Sequence, residues 1–65
     1  MNDKQIPADL RPEFTAYMDA HNDDELPDGA WFAVLVDAAE RFIADKKLRG
    51  IDAYDATHQY LRSME

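Results

Sequence analysis

The densest group of candidate metal ligands in the sequence is an acidic run between two apolar segments. It comprises Asp23, Asp24, Glu25 and Asp28. Gly29 follows, and carboxylates with a glycine invite comparison with an EF-hand calcium loop, which needs oxygen ligands at loop positions 1, 3 and 5, glycine at 6 and glutamate at 12. Aligning Gly29 with position 6 puts Leu26 and Leu35 at positions 3 and 12, where neither supplies an oxygen. We therefore predict a solvated acidic turn and no metal site.

Hydroxyl and imidazole groups do not form a catalytic set in this sequence. Thr57 and His58 are adjacent, and adjacent side chains on a helix diverge by about 100° instead of facing each other. His21 and His58 are too few for a histidine-based zinc site, which takes three or four ligands. The chain has two glycines and no glycine-rich phosphate loop. We expect no enzymatic activity, no cofactor and no small-molecule substrate.

The charge balance narrows the range of partners. The 65 residues carry 14 acidic and 7 basic side chains, a formal net charge of −7. Nucleic-acid binding draws most of its affinity from Lys and Arg, and anionic membranes attract the same cations, so neither partner is expected. A DNA-binding helix-turn-helix in the second half of the chain is disfavoured for a related reason. Asp52 and Asp55 would lie near the start of its recognition helix and would face DNA phosphates.

The expected compartment follows from what the sequence lacks. It has no cysteine, its first residues contain no apolar signal segment, and its longest apolar run is far short of the ~20 residues that span a bilayer. We expect a cytoplasmic protein that binds neither membrane nor nucleic acid directly.

Hydrophobic spacing predicts an all-α protein, a small three-helix bundle with a central hydrophobic helix at about 30–48. The first helix is predicted from about Leu10 to His21, and the third from about Ile51 or Asp52 to Ser63. Asp28 is the expected N-cap of the second helix, and Gly50 the expected left-handed residue after its end. Residues 1–8 are predicted to form a flexible N-terminal arm, with Ile6 as an anchor, and residues 9–65 the three-helix domain.

Apolar residues cover more of the second helix than one core-facing stripe requires. We expect its polar strip to be thin and its remaining circumference to be covered by neighbouring helices or a second molecule. The strip consists of Asp37, Glu40, Arg41 and Asp45.

Two adjoining rows of side chains on the third helix could face the core. The stronger row is predicted to be Ile51, Tyr54, His58 and Leu61. The weaker row is Ala53, Thr57, Tyr60 and Met64.

A domain of this size has few fully enclosed positions, so some large apolar side chains are expected at the surface. The candidates for an exposed interaction patch are Trp31, Phe32, Tyr60 and Met64. The favoured function is a non-enzymatic protein–protein interaction module that binds a protein partner or a second copy of itself. One alternative is an acidic nucleic-acid mimic that inhibits a basic DNA- or RNA-binding protein. A further alternative is an antitoxin-like regulator.

Overall fold

Three helices form the fold, as the sequence predicts. The computed structural model describes residues 5–63, and all regular structure in that range is helical. A 3₁₀ turn at Ala8–Leu10 leads into α1 at Arg11–His21; α2 spans Asp28–Asp45, and α3 spans Ala53–Ser63. The prediction of an all-α three-helix bundle is confirmed. In this range, no helix combines the length and the apolar character needed to cross a membrane.

The start of α1 follows from two prolines. Pro7 has an extended backbone and its carbonyl accepts the amide of Leu10 at 2.9 Å, which closes the 3₁₀ turn. Pro12 lies in the first turn of α1, where its missing N–H leaves no hydrogen bond unmade. Glu13 in the same turn is favourable near the positive end of the helix dipole.

The central helix α2 starts and stops earlier than the sequence predicts. Asp28 is its first residue, Pro27 occupies the N-cap, and no side chain caps the helix there. At the other end, Lys47 adopts the left-handed conformation with φ of 55°. The amide of Leu48 donates to the carbonyl of Ile43 at 3.0 Å, and that of Lys47 to Ala44 at 3.2 Å. This is a Schellman motif. Gly50 also has positive φ, but it lies in the connection beyond the cap.

Replacement of Lys47 by glycine is expected to stabilise the fold. A non-glycine residue in the left-handed region costs roughly 1 kcal/mol, and glycine removes that cost while losing more freedom on folding. We expect Lys47→Gly to raise the free energy of unfolding by about 0.5 kcal/mol in urea titrations. Arg49→Gly is the control because Arg49 has negative φ, and it should destabilise slightly. Equal effects of the two substitutions would contradict the left-handed cap.

The core lies where α2 packs between α1 and α3. Phe42 contributes its ring to the α1 side, 5.1 Å from the ring of Phe14 and 5.6 Å from that of Tyr17. Ala38 and Ala39 of the same helix contribute small buried side chains to the core. Among residues 5–63, the buried apolar side chains are Ile6, Phe14, Met18, Leu35, Ala38, Ala39, Phe42, Ala53, Ala56 and Tyr60.

An ion pair at the edge of this core links α1 to the end of α2. Lys46 Nζ lies 2.6 Å from Glu13 Oε2 and 5.8 Å from the centroid of the Phe42 ring. The hydrogen bond to Glu13 raises the pKa of Lys46 above its ordinary value. The pair therefore favours the cationic form of Lys46 in the folded chain.

The core face of α3 differs from the one expected. Tyr54 and His58, members of the row predicted to be stronger, are exposed, whereas Ala53, Thr57 and Tyr60 are buried. Small side chains on this face let α3 approach α2 closely, and Tyr60 reaches α1. The buried hydroxyl of Thr57 donates to the carbonyl of Ala53 at 2.8 Å, so it adds no unsatisfied group to the core.

The solvent-facing strip of α2 is broader than the sequence suggests. Besides Asp37, Glu40, Arg41 and Asp45, small or medium apolar residues on this helix are exposed. These are Ala30, Ala33, Val34 and Ala44. The helix is central because it contacts both neighbours, yet α1 and α3 do not enclose its full circumference.

The N-terminal segment is attached to the bundle by one buried side chain. Ile6 is 2% exposed, and its amide donates to Gln59 Oε1 on α3 at 3.4 Å. Arg11 Nε donates to the carbonyl of Ile6 at 3.3 Å. Half of the predicted flexible arm, residues 1–4, lies outside the described residues.

Candidate interaction surface

Of the four residues predicted to form an interaction patch, the structure describes three, and these three do not form one exposed surface. Trp31 and Phe32 are half-buried neighbours on α2. Tyr60 is a core residue with 2% of its surface exposed, which corrects its assignment to an exposed patch. Met64 lies outside the described residues. Phe32 instead lies beside Tyr54 and His58 of α3.

Trp31 and Tyr60 belong to a hydrogen-bonded network that joins all three helices, here called the polar clasp. The Tyr60 hydroxyl donates to Asp19 Oδ1 at 2.5 Å and accepts from Asn22 Nδ2 at 3.0 Å. Asn22 Oδ1 in turn accepts from Trp31 Nε1 at 2.6 Å. Each polar atom of the two large aromatic side chains is thereby satisfied. Through the polar clasp, Trp31 and Tyr60 contribute to the packing of the three helices.

The environment of Tyr60 changes its acidity. Burial of the ring raises the pKa of Tyr60 above its ordinary value, because the phenolate would lose hydration. Donation to the Asp19 carboxylate raises the pKa further, while the bond from Asn22 acts in the opposite direction. The neutral phenol is the form that the folded chain favours.

A second aromatic group lies on the outer side of α2 and α3, here called the aromatic patch. It consists of Phe32, Tyr54 and His58. The Phe32 and Tyr54 rings meet edge to face, with centroids 5.4 Å apart, and the His58 ring lies 5.5 Å from Phe32. Tyr54 is 54% exposed, although it is among the largest apolar side chains. The patch therefore presents aromatic surface that the core does not use.

A shallow groove of about 390 Å³ runs beside this patch between α2 and α3, here called the α2–α3 groove. Phe32, Val36 and Tyr54 supply its larger apolar side chains, and Asp37 and Glu40 supply carboxylates. The full lining is Gly29, Phe32, Ala33, Val36, Asp37, Glu40 and Tyr54. The groove therefore has an aromatic floor and an acidic rim.

The two rim carboxylates differ in their partners. Asp37 Oδ2 lies 3.2 Å from Nε of Arg41, one turn along the same helix. Within residues 5–63, Glu40 forms no ion pair. A cationic group entering the groove would therefore meet one carboxylate already paired within α2 and one available to pair.

The acidic run that suggested calcium is organised as a turn. Asp23 Oδ1 accepts the amide of Glu25 at 3.1 Å, and the carbonyl of Asp23 accepts the amide of Leu26. No group of three or more His, Asp or Glu side chains suited to hold a metal occurs between residues 5 and 63. His21 is satisfied separately, with its Nδ1 2.9 Å from the carbonyl oxygen of Tyr17.

Tyr54 and His58 are the residues that sequence reasoning placed on the wrong side of α3. Their spacing of four residues with Ile51 and Leu61 nearby suggested a core row. The opposing signal was the pair Ala53 and Ala56, whose small side chains permit close helix packing. Recognition of that pair as the core row would have left Tyr54 at the surface.

Comparisons with known proteins identify no relative. No protein-family model matches the chain, and no curated protein or solved structure matches it significantly. The fold and the surface described above are therefore the basis for a functional proposal.

Proposed function

We propose that this protein is a non-enzymatic protein–protein interaction module that binds its partner along the α2–α3 groove. The observation that carries the proposal is the exposed Tyr54 ring beside the half-buried Phe32. Aromatic side chains are enriched where proteins meet, and they supply much of the binding energy at interface centres.

Tyr54 contributes little buried surface to the fold. Its ring packs edge to face on Phe32 and lies 6.1 Å from His58, but more than half of the residue remains in water. Val36 continues the apolar surface along α2, where it is half-buried. A partner that covers these side chains would remove apolar area from water without any rearrangement of the core.

The acidic-mimic alternative receives less support. A mimic of nucleic acid benefits from an unbroken acidic face, yet Arg41 pairs with Asp37 and Lys46 pairs with Glu13 in the described part of the chain. Apolar contact at the α2–α3 groove would also hold at ionic strengths that weaken a phosphate mimic. Binding that survives added salt distinguishes the two functions.

Site-specific photo-crosslinking tests the proposed function. A photoreactive residue is placed at Ala33 in the groove or at Ala20, which is exposed on α1. In extract from cells that naturally produce the chain, a discrete protein adduct should form from position 33 and not from position 20. Tyr54→Ala, combined with the probe at position 33, should reduce the yield about tenfold or more, as loss of an interface aromatic does.

Thermal unfolding of Tyr54→Ala is the control for folding. Loss of the edge-to-face contact with Phe32 is expected to cost about 1 kcal/mol, which should leave the variant folded. Equal adducts from positions 20 and 33, or a yield unaffected by Tyr54→Ala in a folded variant, would contradict binding along the groove.

A further inference from the structure

We infer that the α2–α3 groove accepts an amphipathic helix of another protein, with Lys or Arg side chains flanking its apolar stripe. This inference rests on the proposed function and deepens it by naming the chemistry of the partner. The occupant that we infer is a different protein. Binding of a second copy of the chain, or of an acidic partner, would give a different experimental result.

The shape of the groove favours a helix. Its lining follows α2 from Gly29 to Glu40, about three helical turns or roughly 16 Å. Gly29 and Ala33 form a low wall, and a Cβ placed on Gly29 would meet nothing within 4 Å, so another backbone can approach closely. A ligand that binds by β-strand addition would need a strand edge to pair with, and residues 5–63 contain no strand.

The charges at the groove favour a basic partner. Asp37 and Glu40 line the groove and supply its carboxylates. Arg41 already pairs with Asp37, whereas Glu40 has no ion pair among the described residues. The exposed ring of Tyr54 adds an aromatic face on which a guanidinium group can stack. An arginine beside an apolar anchor would engage both features at once.

The same charges disfavour a second copy as the occupant. Each chain carries a formal net charge of −7. Symmetric association through the groove would bring two acidic rims together, and like charges facing each other across an interface oppose binding. In a dimer of this chain, apolar contact at Phe32 and Tyr54 would have to overcome that repulsion. In a complex with a basic helix, the charges attract instead.

A pair of helical peptides with the same apolar stripe tests the inference. One peptide carries Arg and Lys on its flanks and the other carries Glu at the same positions. Binding to the whole chain is followed by fluorescence anisotropy, and amide shifts locate the site. The basic peptide should bind at least about tenfold more tightly, because the groove carboxylates attract its cations and repel the Glu side chains of the other peptide. The largest amide shifts should occur at Ala33, Val36 and Tyr54.

Two substitutions in α2 make the test specific to the groove. Glu40→Lys should reduce the preference for the basic peptide severalfold, because it reverses the charge of the unpaired rim residue. Ala33→Gln should weaken the basic peptide by about tenfold or more through steric exclusion. Ala44→Gln is the matched control on the same helix outside the groove lining, and it should leave binding unchanged.

Each alternative outcome is distinguishable. Equal binding of the two peptides, shifts outside the groove, or no groove shifts with the basic peptide at millimolar concentration would overturn the assignment of a basic helix. Sedimentation that shows a dimer disrupted by Ala33→Gln would replace the heterologous partner by a second copy. In both cases, selective crosslinking from position 33 would still support the proposed interaction function. Absence of selective crosslinking would contradict both the proposed function and the inference of a basic helix.

Discussion

Phe42→Ala is expected to remove a large fraction of the free energy of unfolding. Phe42 is 3% exposed and packs against Phe14 and Tyr17. Truncation of a buried phenylalanine costs about 3–5 kcal/mol through lost transfer energy and the cavity that remains. A domain of this length is expected to have only about 3–10 kcal/mol of total stability. Circular dichroism in a urea titration measures the loss.

Val34→Ala is the matched control on the same helix. Val34 is 37% exposed, and alanine has the higher helix propensity, so the free energy of unfolding should change by less than about 0.5 kcal/mol. A cooperative, nearly unchanged transition for Phe42→Ala would show that α1 does not pack on this part of α2.

Tyr60→Phe is expected to lower stability by about 1–2 kcal/mol at neutral pH. The substitution keeps the ring in the core but removes the hydroxyl that donates to Asp19 and accepts from Asn22. Loss of a hydrogen bond to a charged group, with its partners left only partly hydrated, costs this order of free energy. Chemical denaturation of both proteins at the same pH gives the difference.

The contribution of the hydroxyl should disappear in alkali. Because burial raises the pKa of Tyr60 in the folded chain, the unfolded chain loses this proton first as the pH rises. The stabilisation is complete below the ordinary value of 10.0 and is lost as the pH rises through the folded pKa. The stability difference between the native chain and Tyr60→Phe should therefore narrow above pH 10. The pKa of Lys46 is also raised, but Lys46 is present in both proteins, so its contribution to the stability difference cancels. A stability difference that does not change with pH would contradict the polar clasp.

The helices could be predicted from the sequence because their signals are local. Pro12 restricts the start of α1, Asp28 and Gly29 follow a polar break, and apolar spacing of three and four residues marks each segment. The end of α2 was harder to place. Gly50 offers the usual left-handed residue, but the cap forms at Lys47, where the amide of Leu48 bonds back to Ile43.

The candidate surface depended on tertiary packing and was only partly predictable. Phe32 was identified from its type and position, whereas burial of Tyr60 depends on Asp19 and Asn22, about 40 residues away in sequence. The choice between the two rows of α3 depends on how closely that helix approaches α2. Periodicity ranks rows by size and hydropathy, and here the row with smaller side chains packs inward.

The polar clasp also gives the molecule an internal spectroscopic probe. The chain has one tryptophan, and its indole N–H is held by Asn22 where α1 ends and α2 begins. Indole emission therefore senses the hydration of this junction, while circular dichroism averages over all helices. Comparison of the two signals during denaturation would reveal whether the junction opens before the rest of the bundle melts.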